Sequence, residues 1–167
     1  ACAGLGRLLS RGLWSADALG LTAGLLFVPV GGIWLCVSRL DATVLGFHGV
    51  LALLTAVHFH YAGFAAPVLC GLSAIALRPG GGLAHRLACA AVLGVAAGVP
   101  LLAAGITLSP ALELGAAVLL ASSLALHALV VFTALVPRMH SRPAGFLLAV
   151  SACAVLAAMG LAGVYAW

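Results

Sequence analysis

The chain has 167 residues, 65% of them hydrophobic and only 6% charged, with a mean hydropathy of +1.31. A soluble domain carries about 25% charged residues, so a water-soluble core is excluded and the chain reads as an all-α integral membrane protein. The net charge of +4 comes from scattered arginines, with no lysine, which excludes a nucleic-acid surface; arginines at span ends orient a membrane protein instead.

The chain begins at Ala1 rather than methionine, which fits processing or a piece of a longer protein. Arg7 and Arg11 interrupt the N-terminal region before any apolar stretch, unlike a secretory signal. Leu5, Leu8, Leu9 and Leu13 share one helical face, so residues 1–14 read either as a short helix on the membrane surface or as a frayed tail. The five cysteines (Cys2, Cys36, Cys70, Cys89, Cys153) have no CxxC spacing and read as small buried hydrophobes.

A bilayer core about 30 Å thick needs roughly 20 helical residues. Ala16–Val37 fits a first span, with Pro29, Gly31 and Gly32 expected to kink it. The stretch from Ala42 to Leu77 would make a helix of about 54 Å, too long for one crossing. It is therefore expected to form two spans, 42–60 and 64–78, joined by a tight turn near Ala62–Gly63, with Pro67 in the first turn of the second. Ala84–Thr107 fits a span with a Gly94/Gly98 packing seam. Ala111–Val136 follows Pro110, and Pro143–Trp167 ends in Tyr165 and Trp167 as interface anchors. The expectation is one polytopic helical bundle over residues 1–167 with about six spans. Arginine counting favours five, because five spans place six arginines on one side and Arg39 alone on the other.

Ionisable groups at membrane depth are costly and are functional candidates by default. Glu113 is the one carboxylate placed inside the lipid depth. "HFHY", residues 58–61, sets His58, His60 and Tyr61 beside Phe59 and, shortly after, Phe64. Two helical residues turn 200°, so His58 and His60 can converge only if the helix ends there. Asp41 reads as the N-cap of the second span, and with His48 and Thr55 it defines one stripe. On antiparallel spans, Glu113 is expected to meet His58, His60 and Tyr61 in one layer and His48 to meet His127 in another. The structural alternatives are an interfacial aromatic girdle for HFHY and hydrogen bonds to carbonyls or serines for His48 and His127. His85 and His140 fall in arginine-bearing loops and are set aside.

At "AVHFHYAGFAAPVLCG", residues 56–71, the chain resembles the YndJ-like family of bacterial membrane proteins. His58-Phe59-His60-Tyr61, Gly63-Phe64 and Pro67 carry the likeness, which covers about a third of the chain. The resemblance implies a bacterial cytoplasmic-membrane location and members longer than this chain. It implies no assigned chemistry, although members are sometimes labelled transporter-like.

The leading functional expectation is a membrane-embedded isomerase or cyclase acting on a small lipophilic, isoprenoid-like molecule. Glu113, His58, His60, Tyr61 and Asp41 are its candidate catalytic groups; His48, His127, Phe59 and Phe64 are candidates for holding substrate. Aromatic rings near the motif, Phe47 included, would stabilise a carbocation, and no cofactor is required. One alternative is a proton-coupled carrier using Glu113 and the histidines, with the first span broken at Pro29–Gly32. Another is a haem or metal subunit, with His48 and His127 as axial ligands or His58, His60 and Glu113 holding copper, zinc or iron, although the spacing matches no strong metal signature. The last is an assembly subunit. The expected partners are membrane lipids, a lipophilic molecule, and a second copy or a partner membrane subunit.

Overall fold

The computed structural model describes residues 16–165. Among the described residues, five helices are long and apolar enough to cross a membrane: α1 (Ala16–Arg39), α2 (Gly49–Gly80), α3 (Gly82–Leu108), α4 (Pro110–Arg138) and α5 (Arg142–Tyr165). The proposed surface helix at 1–14 and the Trp167 anchor lie outside the described residues.

The count is the one that arginine placement favoured, and the expected turn near Ala62–Gly63 is corrected. Gly49–Gly80 is a single helix of 32 residues, about 48 Å long at 1.5 Å per residue. It exceeds the hydrocarbon thickness and fits by tilting or by projecting beyond it. Its middle, Phe59–Ala65, is a π-helical segment closed by the Ala66 N–H bonding to the Tyr61 carbonyl, five residues back. A second π segment, Val131–Leu135, lies in α4 and is closed by Val136 N–H to Val131 O. Each ends two residues before a proline, Pro67 or Pro137. A proline cannot donate to the carbonyl four residues back, and its ring crowds that carbonyl, so the preceding turn widens. Pro29 and Pro100 sit in turns that stay α-helical, so proline alone does not make a π segment.

Small residues bring the helices close. An ideal Cβ on Gly20 would lie 2.5 Å from the Pro67 carbonyl oxygen and 3.0 Å from Gly71 Cα, which places the α1 and α2 backbones in direct contact. The expected α3 seam forms against α4, where Gly94 faces Ser123 and Gly98 faces Leu120. Val92, Val95 and Val99 of α3, with Cys70 and Ala74 of α2 and Leu120 and Leu124 of α4, fill the core. Cys36 and Cys153 are exposed, which corrects their expected burial; in lipid an apolar thiol needs no protein cover. α5 packs on α4 and its π segment and is otherwise outward-facing.

Asp41 does not cap α2. It lies in the Leu40–His48 connection with φ +50°, and His48 occupies the N-cap position without a side-chain cap bond. The stripe expected for Asp41, His48 and Thr55 therefore does not exist, since only Thr55 is helical. His85, set aside as a loop residue, is in α3, where its Nδ1–H donates to the Ala74 carbonyl at 3.1 Å and ties α2 to α3.

Two outcomes follow from this packing. Gly20→Ala should lower thermal stability in detergent by about 1–3 kcal/mol, because backbone must move. Gly32→Ala, which meets nothing within 4 Å, should leave the melting curve unchanged. Arg78, Arg86, Arg138 and Arg142 gather at one end of the bundle and Arg39 at the other, so the four-arginine end should face the cytoplasm. With native cysteines replaced by alanine, a membrane-impermeant maleimide on intact cells should label Thr43→Cys and spare His140→Cys. The reverse pattern would invert the topology.

Candidate functional site

The first ten residues of α2, Gly49–His58, pack on α1, while the later part of the helix closes on α3. The gap left between the start of α2 and the end of α3 is a cleft of about 540 Å³, within the size range of small-molecule sites. Trp34 from the end of α1 and Phe47 from the α1–α2 connection form one wall, edge to face with ring centroids 5.5 Å apart. Phe59, 5% exposed and tilted against Phe27 with ring centroids 6.0 Å apart, also lines it. Leu51, Leu54 and Ile106 reach both the cleft and the outer surface of the helices, so the cleft opens sideways toward lipid.

Four polar side chains line it: Thr55, His58, Thr107 and Glu113. His58 is the last residue before the π segment and is half-buried. Glu113 stands in the first turn of α4, its backbone N–H bonded to the Ser109 carbonyl at 3.0 Å. A Cβ on Gly105 would lie 2.5 Å from Glu113 Cα, so the bare α3 backbone abuts α4 at this residue and sets where its side chain starts. A carboxylate at a helix N-terminus is also favoured by the helix dipole. Of the HFHY segment, His58 and Phe59 line the same cleft as Glu113.

The rest of the motif turns elsewhere. His60 Nδ1–H donates to the Ala56 carbonyl at 2.7 Å, leaving Nε2 as the acceptor. Its ring fills the space beside Gly31 of α1, where a Cβ would come within 2.7 Å. Tyr61 is 72% exposed, facing the surroundings. Phe64 packs over Gly24 of α1 and is not part of the cleft lining. Because the helix continues through the motif, successive side chains stay on different faces, and the convergence that a helix end would have allowed does not occur.

His48 and His127 are not brought together. A continuous α2 makes α2 and α4 parallel, not antiparallel as expected, so His48 and Glu113 begin at one end of the bundle. His127 lies far along α4, in a second cavity of about 70 Å³ with Ser73 of α2 and Ser151 of α5. Its Nδ1 is buried without a hydrogen-bond partner. The paired axial-ligand arrangement is therefore absent. Among the described residues no three His, Cys, Asp or Glu side chains gather as a metal site, and His60 is held away from His58 and Glu113. Asp41 lies outside the cleft lining as well.

The sequence reading missed Trp34 and Thr107 as cleft residues. Trp34 has the position of an interface anchor near the end of a span, and Thr107 is one hydroxyl near a helix end; only the tertiary gap gives either a different role.

The pattern of the YndJ-like protein family matches residues 1–167. The chain is 30% identical over 145 residues to a Bacillus subtilis (strain 168) protein named "Uncharacterized membrane protein YndJ". That alignment covers 86% of this chain and 25% of the relative, so the chain spans about a quarter of the curated relative's length. No solved structure matches. The family pattern runs along the whole chain and the curated relative agrees with it: this chain belongs to the YndJ-like family of membrane proteins.

Proposed function

We propose that the cleft takes up a lipophilic small molecule from the bilayer and moves a proton on it, with Glu113 as donor and His58 as acceptor. The observation that carries this reading is that both groups line one aromatic-walled cleft whose lining, apart from them and two threonines, is apolar. His60, Tyr61, Phe64, Asp41, His48 and His127 have no part in it.

For an isoprenoid-like alkene the steps balance without a cofactor. Glu113 in its acid form gives a proton to one alkene carbon, and the positive charge develops on the neighbouring carbon. Trp34, Phe47 and Phe59 line the same cleft, and an aromatic face turned to that charge would lower its energy. His58 then takes a proton from an adjacent C–H bond, whose electrons form the new double bond. Glu113 is left as carboxylate and His58 as imidazolium, and proton exchange with water at the cleft mouth resets both. The net reaction is isomerisation, or cyclisation when a second double bond traps the cation.

Solvent deuterium reads this chemistry without knowledge of the substrate. Purified protein returned to bacterial membrane lipids in heavy water should place deuterium in non-exchangeable C–H positions of an extracted lipid, seen by mass spectrometry. Glu113→Gln and His58→Ala should each lower the label by about 100-fold or more, the range for loss of a general acid or base. Tyr61→Phe should not change it. Label no higher than in protein-free membranes, or label insensitive to Glu113→Gln, removes the proposal.

A further inference from the structure

The hydrogen-bonding character of the cleft is lopsided. Thr55 Oγ1 donates its one proton to the Leu51 carbonyl at 2.8 Å, and Thr107 Oγ1 donates to the Ala104 carbonyl at 2.9 Å. Each hydroxyl therefore turns only lone pairs toward the cleft. Among the described residues the Glu113 carboxyl has no hydrogen-bond or ion-pair partner, and no arginine lines the cleft. The side-chain hydrogens left over are the ring N–H of a neutral His58 and the indole N–H of Trp34. Against them stand two carboxylate oxygens, two hydroxyl oxygens, one imidazole nitrogen and the electron-rich faces of Trp34 and Phe47.

Such a site repels anions and gives a neutral alkyl chain no polar anchor. It suits a molecule that carries positive charge and hydrogen-bond donors on an apolar body. From this geometry we infer that the cleft selects a lipophilic ammonium: an amine-bearing amphiphile whose N–H groups donate to Glu113, Thr55 and Thr107. Its cationic head lies against the Trp34–Phe47 pair and its tail between Leu51, Leu54 and Ile106. The charge-assisted bonds to the carboxylate are the strongest contacts of this set, and the aromatic rings add cation–π attraction. The inference rests on the proposed function only in taking the cleft as a ligand site. The ammonium meets Glu113 as the carboxylate that the proton-transfer scheme leaves once its proton has been given, so the amine stands as a mimic of the cation at that stage.

Three probes of equal tail length separate charge from greasiness: dodecylammonium, dodecanol and dodecanoate, titrated calorimetrically into the protein in phosphatidylcholine nanodiscs, with empty nanodiscs subtracted. Dodecylammonium should bind saturably at one site per chain, about tenfold or more tighter than dodecanol, and dodecanoate should give no protein-dependent heat. Glu113→Gln should weaken the ammonium by about tenfold and leave dodecanol unchanged. Should that variant lose its helical circular dichroism, the Thr55→Val/Thr107→Val pair replaces it and should weaken the ammonium alone. Equal affinity for amine and alcohol, or an ammonium affinity indifferent to these variants, overturns the inference. Ammonium binding without deuterium transfer upholds the ligand class and removes the chemistry, whereas deuterium transfer without ammonium preference does the reverse.

Discussion

Inside a bilayer no water satisfies a freed N–H or carbonyl group, so a chain at membrane depth keeps its backbone bonds even where the sequence invites a break. That constraint acts most visibly at residues 59–65. Gly63 and Pro67 are residue types that favour turns and helix ends. Here the helix gives way by one step in hydrogen-bond register, from four residues to five, and goes on. α2 stays one helix of 32 residues, and the rest of the arrangement follows. α2 runs parallel to α4, the starts of both lie at the same end, and the end of α3 lies beside them. Two closely packed spans at this place would have put different residues of α4 beside the motif.

The close approach of α1 and α2 depends on the same economy. Gly20, Gly24 and Gly31 present bare backbone to α2, and Gly63 presents it back to Phe27. Apolar side chains gain nothing by leaving lipid for one another, so helices associate through tight van der Waals contact. Such contact along one side of α2 draws it onto α1. At its start, Trp34 and Phe47 form an aromatic wall, and the gap toward α3 opens there. The cleft is thus where the small-residue seam ends and an aromatic pair begins.

Much of this was legible in the residues, because long apolar runs punctuated by arginine leave little choice of fold. The helix ends at Arg39, Leu108 and Pro110 fall where the punctuation puts them. The α2 turn was misread because helix length was weighed as though a span could not exceed the hydrocarbon core. The arginine distribution recorded the true count, since Arg78 and Arg86 flank a real boundary and nothing charged flanks residue 63. Glu113 could be found from cost alone, as an acid in an apolar run. His58 could be found as one of a pair, but which histidine of the pair faces the cleft depends on the rotation of α2, fixed by Gly31 across the interface. Trp34 and Thr107 carried no sequence signal, because their role arises from a space between helices.

The π segment also explains how one short motif serves two purposes. His58 lies at its edge and turns to the cleft, while His60, two residues later, turns to α1 and is anchored there by the Ala56 carbonyl and the notch at Gly31. An imidazole wedged in this way resists rotation of α2 about its axis, since any rotation would drive the ring into the α1 backbone. Phe59, between them, is clamped by Phe27 and forms part of the cleft lining. His60 and Phe59 therefore set the rotation of α2 at His58, and across the gap the close approach of Gly105 sets where the Glu113 side chain starts.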